Sequence, residues 1–208
     1  MVHPSNDEGS NGSGKLKETS KSDSIRTSAA MLFAQKGYSA VGVAELGEVT
    51  GLGRGALYHH IKSKEDLLFD ISSRYIKKLI EDGREISARE LDPVRRIELL
   101  SKAMIGVVYN HLPEMTVCFR EIHALSGERH RTVAQYHYEY QQIWEDAISM
   151  GVAQGKFRPI EKVAIKGIMG MFFYSFLWLN PNGRQTADEV GEAFCDFIIN
   201  GLRAQNPQ

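Results

Sequence analysis

The chain has 208 residues with 25 basic and 26 acidic side chains, and its net charge of −1 excludes a uniformly basic protein that coats nucleic acid. Its 42% hydrophobic content is ordinary for a globular protein. The longest apolar stretch, residues 167–179, is too short to cross a bilayer, and the polar first residues do not resemble a signal peptide. We therefore expect a cytoplasmic protein.

The positive charge is concentrated near the start of the chain. Residues 15–64 hold eight Lys or Arg side chains against four acidic ones, which favours one face that meets phosphates. Cys118 and Cys195 have no partner at a disulfide or metal-site spacing, so both are expected to be reduced core residues.

The predicted elements are all helices. Residues 1–21, rich in Ser, Gly and Asn, are expected to form a disordered arm that ends at Lys21. Apolar residues at intervals of three to four then predict a first helix over 23–36. A capping box that begins at Ser63 opens a long helix to about residue 88. The other predicted helices are 43–49, 53–60, 93–111, 114–126, 130–155, 161–179 and 186–203, and Pro113 is among the predicted breaks.

Residues 43–60 have the pattern of a helix-turn-helix, because two short helices flank Gly51, which can take the positive φ of a tight turn. The second helix would enter a major groove of DNA. If Ala56 and Leu57 pack inward, the remaining face reads DNA, and nearby lysines contact phosphates. The predicted DNA-binding residues are Lys21, Arg54, Gly55, Tyr58, His59, Lys62 and Lys64.

The sequences FAQKGY at 33–38 and GRGALYHH at 53–60, followed by Lys64 and Glu65, resemble the N-terminal domain of the TetR family of bacterial regulators. The resemblance implies an all-α fold of about nine helices, with a three-helix DNA-binding domain (22–68) and a C-terminal ligand-binding and dimerisation domain (69–208). It implies a homodimer formed through the helices near 161–179 and 186–203, a double-stranded DNA operator and a small-molecule effector.

The body is similar to regulators of sterol and fatty-acid breakdown that respond to acyl-CoA thioesters, through YHYEYQQIWEDAISMGVAQGKFRP and WLNPNGRQTADEVGEAF. Such an effector would need an apolar, aromatic pocket in which a His or Tyr fixes its orientation. The predicted lining is Tyr109, Phe119, His123, Tyr140, Trp144, Met169, Phe172, Phe173 and Phe176. For each of these residues taken singly, plain core packing is the competing interpretation.

No catalytic motif is recognisable, and an enzyme is not expected. His123, His130 and His137 recur every seven residues, a spacing unlike the i, i+4 pairs that chelate metals, so we expect packed or solvated histidines and no metal or cofactor. The leading hypothesis is a repressor that a hydrophobic ligand releases from a palindromic operator. A ligand-dependent activator or co-repressed regulator remains an alternative, and a carrier or enzyme on a helical body is a further one.

Overall fold

The computed structural model describes the backbone of residues 11–204 and the side chains of residues 21–204. Within that part it has nine α-helices, two 3-10 helices and one antiparallel bridge between Phe157 and Arg203, so the predicted all-α fold is confirmed. The α-helices are α1 (Asn11–Lys36), α2 (Val43–Thr50), α3 (Arg54–His60), α4 (Lys64–Arg89), α5 (Pro93–Asn110), α6 (Leu112–Glu121), α7 (Gly127–Ala153), α8 (Lys162–Phe173) and α9 (Ala187–Leu202), and the 3-10 helices are η1 (Ile122–Ala124) and η2 (Tyr174–Leu177).

Helix α1 begins at Asn11, well before the predicted start at residue 23. The prediction of a disordered arm over 1–21 is therefore wrong for residues 11–21, while residues 1–10 lie outside the described part of the chain. The segment KLKETSK contains Lys, Leu and Glu, which are good helix formers. Extending a helix that the core already holds costs less than nucleating a new one.

Helices α1 to α3 form a small head whose core is closed by the first turns of α4. The apolar stripe predicted for α1 is buried, namely Ile25, Ala29, Leu32 and Phe33. Leu46 from α2 and Leu57 from α3 have no exposed surface. Full burial of one such side chain stabilises the fold by about 1.5–3 kcal/mol, so these contacts hold the two short helices in place.

Helix α4 joins the head to the body. Its cap is Ser63, whose hydroxyl oxygen accepts a hydrogen bond from the Asp66 backbone N–H at 3.0 Å. This bond is one half of the predicted capping box. The Ser63 hydroxyl also donates to the Asp66 carboxylate at 2.7 Å. With 26 residues the helix is about 39 Å long, and it packs along α5, α6 and α7.

Three predictions about helices of the body are wrong: one start and two helices that are not continuous. Helix α6 begins at Leu112 and keeps Pro113 in its first turn, where a missing N–H costs no hydrogen bond. The predicted helix 114–126 divides into α6 and η1, and the predicted helix 161–179 divides into α8 and η2. At the second break the Ser175 hydroxyl donates to the Phe172 carbonyl at 2.6 Å, a side-chain bond that competes with regular helix bonding.

Cys118 and Cys195 are buried and form no disulfide, as predicted. Among the helices of the described residues, none has both the length and the apolar character needed to span a membrane.

Candidate functional site

The turn between α2 and α3 has the geometry that the sequence predicts. Gly51 adopts φ 66° and ψ 24°, the left-handed conformation that favours glycine. The turn is tight, because the Leu52 backbone N–H donates to the Gly47 carbonyl at 2.9 Å. A Cβ atom on Gly47 would lie 2.7 Å from the Leu52 carbonyl oxygen, so this glycine allows the close approach of the two segments.

Helix α3 turns one side chain into the core and most of the others toward solvent. Leu57 is fully buried, whereas the predicted reading residues Arg54, Gly55, Tyr58 and His59 are all exposed. The expectation that Ala56 packs inward is wrong, because this residue is exposed as well. A helix of seven residues touches the core along a narrow line, so one apolar anchor is enough to hold it.

The exposed face of α3 presents hydrogen-bond donors. The Arg54 guanidinium lies 6.0 Å from the centre of the Tyr58 ring, at the outer limit of a cation–π contact. Within the described residues, Arg54, Lys62 and Lys21 form no ion pair, and all three are exposed. Lys21 belongs to α1, so it is held on a helix and not on a flexible arm.

Lys64 differs from the other predicted phosphate contacts. Its ammonium lies 4.2 Å from the centre of the Tyr38 ring and 5.9 Å from that of Phe33. Partial burial lowers the pKa of this lysine, and the charge of Glu121 opposes that effect. Lys64 therefore braces the loop before α2 against the start of α4, a role that its sequence position did not reveal.

Polar contacts fasten the head to the body at the corner where α6, η1 and α7 meet. The Glu65 carboxylate accepts from the backbone N–H of Ser126 at 2.9 Å and from its hydroxyl at 2.8 Å. Arg129 forms ion pairs with Asp66 and, at 3.5 Å, with Glu65. On the other side, the Tyr38 backbone N–H donates to a Glu121 carboxylate oxygen at 3.2 Å. These contacts hold the chain just before and just after the helix-turn-helix.

The body contains a cluster of aromatic rings centred on Phe119 of α6. Its ring centre lies 5.5 Å from that of Phe173, 5.6 Å from that of Phe176 and 5.8 Å from that of His137. Phe176 stacks nearly parallel to Phe119, with 14° between the planes. Three of the nine predicted lining residues are thus brought into direct contact.

A second ring group joins this cluster along α7 and α8. The Trp144 ring lies 5.3 Å from Phe172, and the Tyr140 ring lies 6.4 Å from Phe173. Met169 is buried on the same helix as the two phenylalanines. The predicted residues Phe119, Tyr140, Trp144, Met169, Phe172, Phe173 and Phe176 therefore share one region of the core.

Two of the predicted lining residues lie elsewhere. His123 is exposed on η1, at the head–body corner. The Tyr109 hydroxyl donates to the Pro181 carbonyl at 2.6 Å, which places it at the loop between η2 and α9. The sequence shows apolar spacing along one helix, but it does not show which way a residue near a helix end is turned.

His137 and Tyr75 are members of the cluster that the predicted lining omitted. The Tyr75 hydroxyl lies 2.8 Å from Nε2 of His137 and donates to the Cys118 sulfur at 3.2 Å. Burial lowers the pKa of His137 to about 4, so the ring is neutral near pH 7. His137 is a packed histidine, one of the two options predicted, but no sequence signal connects it with a tyrosine 62 positions earlier.

Helices α8 and α9, together with η2, expose an apolar surface. Val163 and Phe197 are each 73% exposed and Trp178 is 54% exposed. Ile160, Ile168 and Phe197 border a groove of about 350 Å³ on this side. Monomeric proteins rarely leave such a surface uncovered.

No group of three or more His, Cys, Asp or Glu side chains within residues 21–204 is arranged to hold a metal.

Family profiles match both parts of the chain. The profile of bacterial regulatory proteins of the tetR family covers residues 25–71, and that of tetracyclin repressor-like C-terminal domains covers residues 90–202. The chain belongs to the TetR family. The helix-turn-helix is thus the DNA-binding element of a transcriptional regulator, and α5 to α9 lie within the match to the C-terminal domain of this family.

Relatives of known structure or role support the assignment. The transcriptional repressor KstR2 of Rhodococcus jostii is 27% identical over 205 residues, which cover 97% of this chain and 98% of the repressor. The structure of PfmR from Thermus thermophilus matches with a TM-score of 0.81 and 30% identity, over 86% and 99% of the two chains. AibR in complex with isovaleryl coenzyme A and operator DNA matches with a TM-score of 0.74 and 26% identity, over 88% and 98%. KstR2 is named a transcriptional repressor and PfmR a TetR family transcriptional regulator.

Proposed function

We propose that this TetR protein is a repressor that binds a palindromic operator as a homodimer and leaves it when a hydrophobic small molecule binds the body. The observation that carries the proposal is the exposed face of α3, on which Arg54 and Tyr58 stand outward while Leu57 anchors the helix. Arginine makes the commonest specific contact with guanine in a major groove, and exposed residues near it can bind phosphates.

A dimer formed through α8 and α9 would bring together two recognition helices, one α3 from each protomer. The exposed Val163, Trp178 and Phe197 would be covered in the dimer, which removes the cost of leaving them in water. Two recognition helices held about 34 Å apart would reach successive major grooves on one side of the duplex. The symmetry of the dimer would then require a palindromic operator.

The aromatic cluster and the corner contacts support a response to ligand. The Phe119 ring belongs to the cluster, and Glu121, two residues later, accepts from the Tyr38 backbone N–H in the head. A ligand that displaces rings around Phe119 would therefore act next to a head–body contact. If the ligand binds better to one orientation of the head than to another, it changes the affinity of the protein for DNA. Because the two binding events are linked, bound DNA changes the affinity for the ligand by the same factor.

Acyl coenzyme A thioesters are the first class of effector to test. KstR2 is a repressor by name, and AibR was solved with isovaleryl coenzyme A and operator DNA. The aromatic region of this chain suits the apolar end of such a molecule. The thioester's polar nucleotide end would stay outside it, because burying phosphates without cations is costly.

The DNA-binding part is tested with duplexes selected from a randomised pool by the wild-type dimer. Replacement of Arg54 by Ala should weaken binding about tenfold or more, and the Arg54→Ala/Tyr58→Ala double variant should bind still less. Arg89→Ala is the control, since Arg89 is exposed at the far end of α4 and its ion-pair partner among residues 21–204 is Glu85. Wild-type affinity in a folded double variant would refute the DNA-binding surface.

The effector part is tested by adding acyl-CoA thioesters of increasing chain length to the same DNA complex. Release of DNA supports a ligand-released repressor. Tighter DNA binding in the presence of ligand would instead show a co-repressed or ligand-activated regulator, and the proposed direction of the response would be wrong.

A further inference from the structure

One acidic side chain of the helix-turn-helix has no partner in the protein. Glu48 of α2 is exposed, and among residues 21–204 its carboxylate forms no ion pair and no hydrogen bond. The other acidic residue of α2, Glu45, pairs with Lys36. Glu48 also lies in the last turn of α2, where the helix dipole disfavours a negative charge. The contacts of the protein alone therefore give no reason for a carboxylate at this position.

Glu48 and Arg54 border the same hollow. This hollow has a volume of about 480 Å³ and lies between α2 and the start of α3. Gly47, Gly51 and Gly53 form part of its wall without contributing side chains, so the hollow has room for another molecule. Within the described part of the chain, Glu48 and Arg54 do not pair with each other. The hollow therefore offers a hydrogen-bond acceptor from one helix and a donor from the other.

The proposed function brings duplex DNA to this hollow, because Arg54 belongs to its recognition surface. Phosphates repel a carboxylate, so Glu48 lowers the affinity for DNA of any sequence. The charge becomes favourable where it accepts a hydrogen bond from a base. The major groove offers amino donors on adenine and cytosine. Adenine carries the N7 acceptor beside its amino group, which repels a carboxylate, whereas cytosine presents its N4 amino group alone.

Building on the proposed function, we propose that Glu48 is a specificity-determining residue of operator recognition. Its carboxylate accepts a hydrogen bond from the N4 amino group of a cytosine, in the same half-site as the guanine that Arg54 binds. Guanine presents acceptors to the cationic side of the hollow, and cytosine presents a donor to the anionic side. A symmetric dimer repeats this contact in the second half-site.

The inference is tested by selecting duplexes from a randomised pool, once with the wild-type protein and once with Glu48→Gln. Gln keeps the size of the side chain but removes its charge, and its amide suits the N6 and N7 atoms of adenine. The wild-type pool should prefer cytosine at one position of each half-site. The Glu48→Gln pool should lose that preference or replace cytosine by adenine. The same cytosine preference in both pools would overturn the inference.

Glu45→Gln is the matched control for the selection. It removes one negative charge from the same helix, at a residue that already has a partner in Lys36. Its pool should therefore keep the cytosine of the wild-type pool. Loss of the cytosine in this variant as well would show that selection follows the charge of α2 in general, and the specific role of Glu48 would be wrong.

Affinity measurements then compare the selected duplex with one in which the cytosine–guanine pair is replaced by thymine–adenine in both half-sites. The wild type should lose affinity about tenfold for each half-site, and Glu48→Gln about twofold or less. For random DNA, Glu48→Gln should bind about two- to fivefold more tightly than the wild type, because a screened repulsion is removed. An equal gain of affinity for selected and random DNA would show that Glu48 acts by repulsion alone, and would overturn the inference.

A stability measurement separates base recognition from a structural role. Because the Glu48 carboxylate has no partner among residues 21–204 and lies at the unfavourable end of α2, DNA-free Glu48→Gln should melt at the wild-type temperature or above it. A lower melting temperature would show that Glu48 supports the helix-turn-helix itself, and would overturn its assignment to base recognition.

Failure of this inference is distinguishable from failure of the proposed function. If the wild type selects a palindrome that requires Arg54 and Tyr58, and Glu48→Gln selects the same palindrome, the inference alone fails. If the wild type selects no sequence from the pool, the proposed function fails and the inference fails with it.

Discussion

The buried histidine of the body predicts a specific loss of stability in acid. His137 is enclosed by the Phe119 and Phe173 rings, and its Nε2 lies 2.8 Å from the Tyr75 hydroxyl. Burial lowers its pKa from 6.5 to about 4. Between these two values the unfolded chain binds a proton that the folded protein excludes, so the free energy of unfolding falls as the pH falls. The difference between the two pKa values corresponds to a total loss of about 3 kcal/mol in the free energy of unfolding once the pH lies below both values.

The assay is urea unfolding of the dimer between pH 7 and pH 4.5. We expect His137→Gln to be less stable than the wild type at pH 7, because it disturbs a packed ring, and to lose less stability on acidification. His130→Gln is the control, since His130 lies on the same helix and is exposed to solvent. If the free energy of unfolding falls equally with pH in the wild type and in His137→Gln, the loss of stability in acid does not come from this residue.

The remaining predictions concern the head, the corner and the dimer surface. Arg129→Gln should weaken operator binding two- to fivefold, the range for solvent-screened ion pairs. Arg131→Gln is the control and should leave operator binding unchanged, because Arg131 pairs within its own helix. Equal operator affinities of the two variants would contradict a role for the corner in positioning the head. Gly53→Ser should raise the melting temperature, because α3 has no side-chain cap and a Ser hydroxyl there adds about 0.5 kcal/mol to the free energy of unfolding. Gly51→Ala should lower the free energy of unfolding by about 1–2 kcal/mol, because the residue has a positive φ. A Gly51→Ala protein that melts above the Gly53→Ser protein would show that the turn is built differently. Phe197→Glu should give a monomer in sedimentation, and an intact dimer would exclude the α8–α9 surface as the interface.

Features encoded within a few residues could be predicted from the sequence. The left-handed Gly51, the inward Leu57 and the Ser63 cap each depend on local backbone chemistry or on helical periodicity, and the structure has all three. The outward face of Arg54 and Tyr58 follows from the same periodicity. Periodicity places Ala56 on the wrong side of α3, because a small apolar residue has no strong preference for burial in a helix of seven residues.

Contacts between distant segments were decided by the tertiary structure. Lys64 rests on the Tyr38 ring, a contact that no local pattern around α3 indicates, and its phosphate contact stays a prediction. Tyr75 meets His137 because α4 packs along α7, and no local pattern specifies which turns of two helices face each other.

The sequence by itself determined that this TetR chain is all-helical, where its helix-turn-helix lies and which face of α3 points away from the core, because periodicity, capping and glycine conformations act over short distances. Only the tertiary structure decided which aromatic residues meet in the body and how the head is fastened to the body. Those outcomes depend on the mutual orientation of whole helices, which is fixed by the packing of many side chains at once.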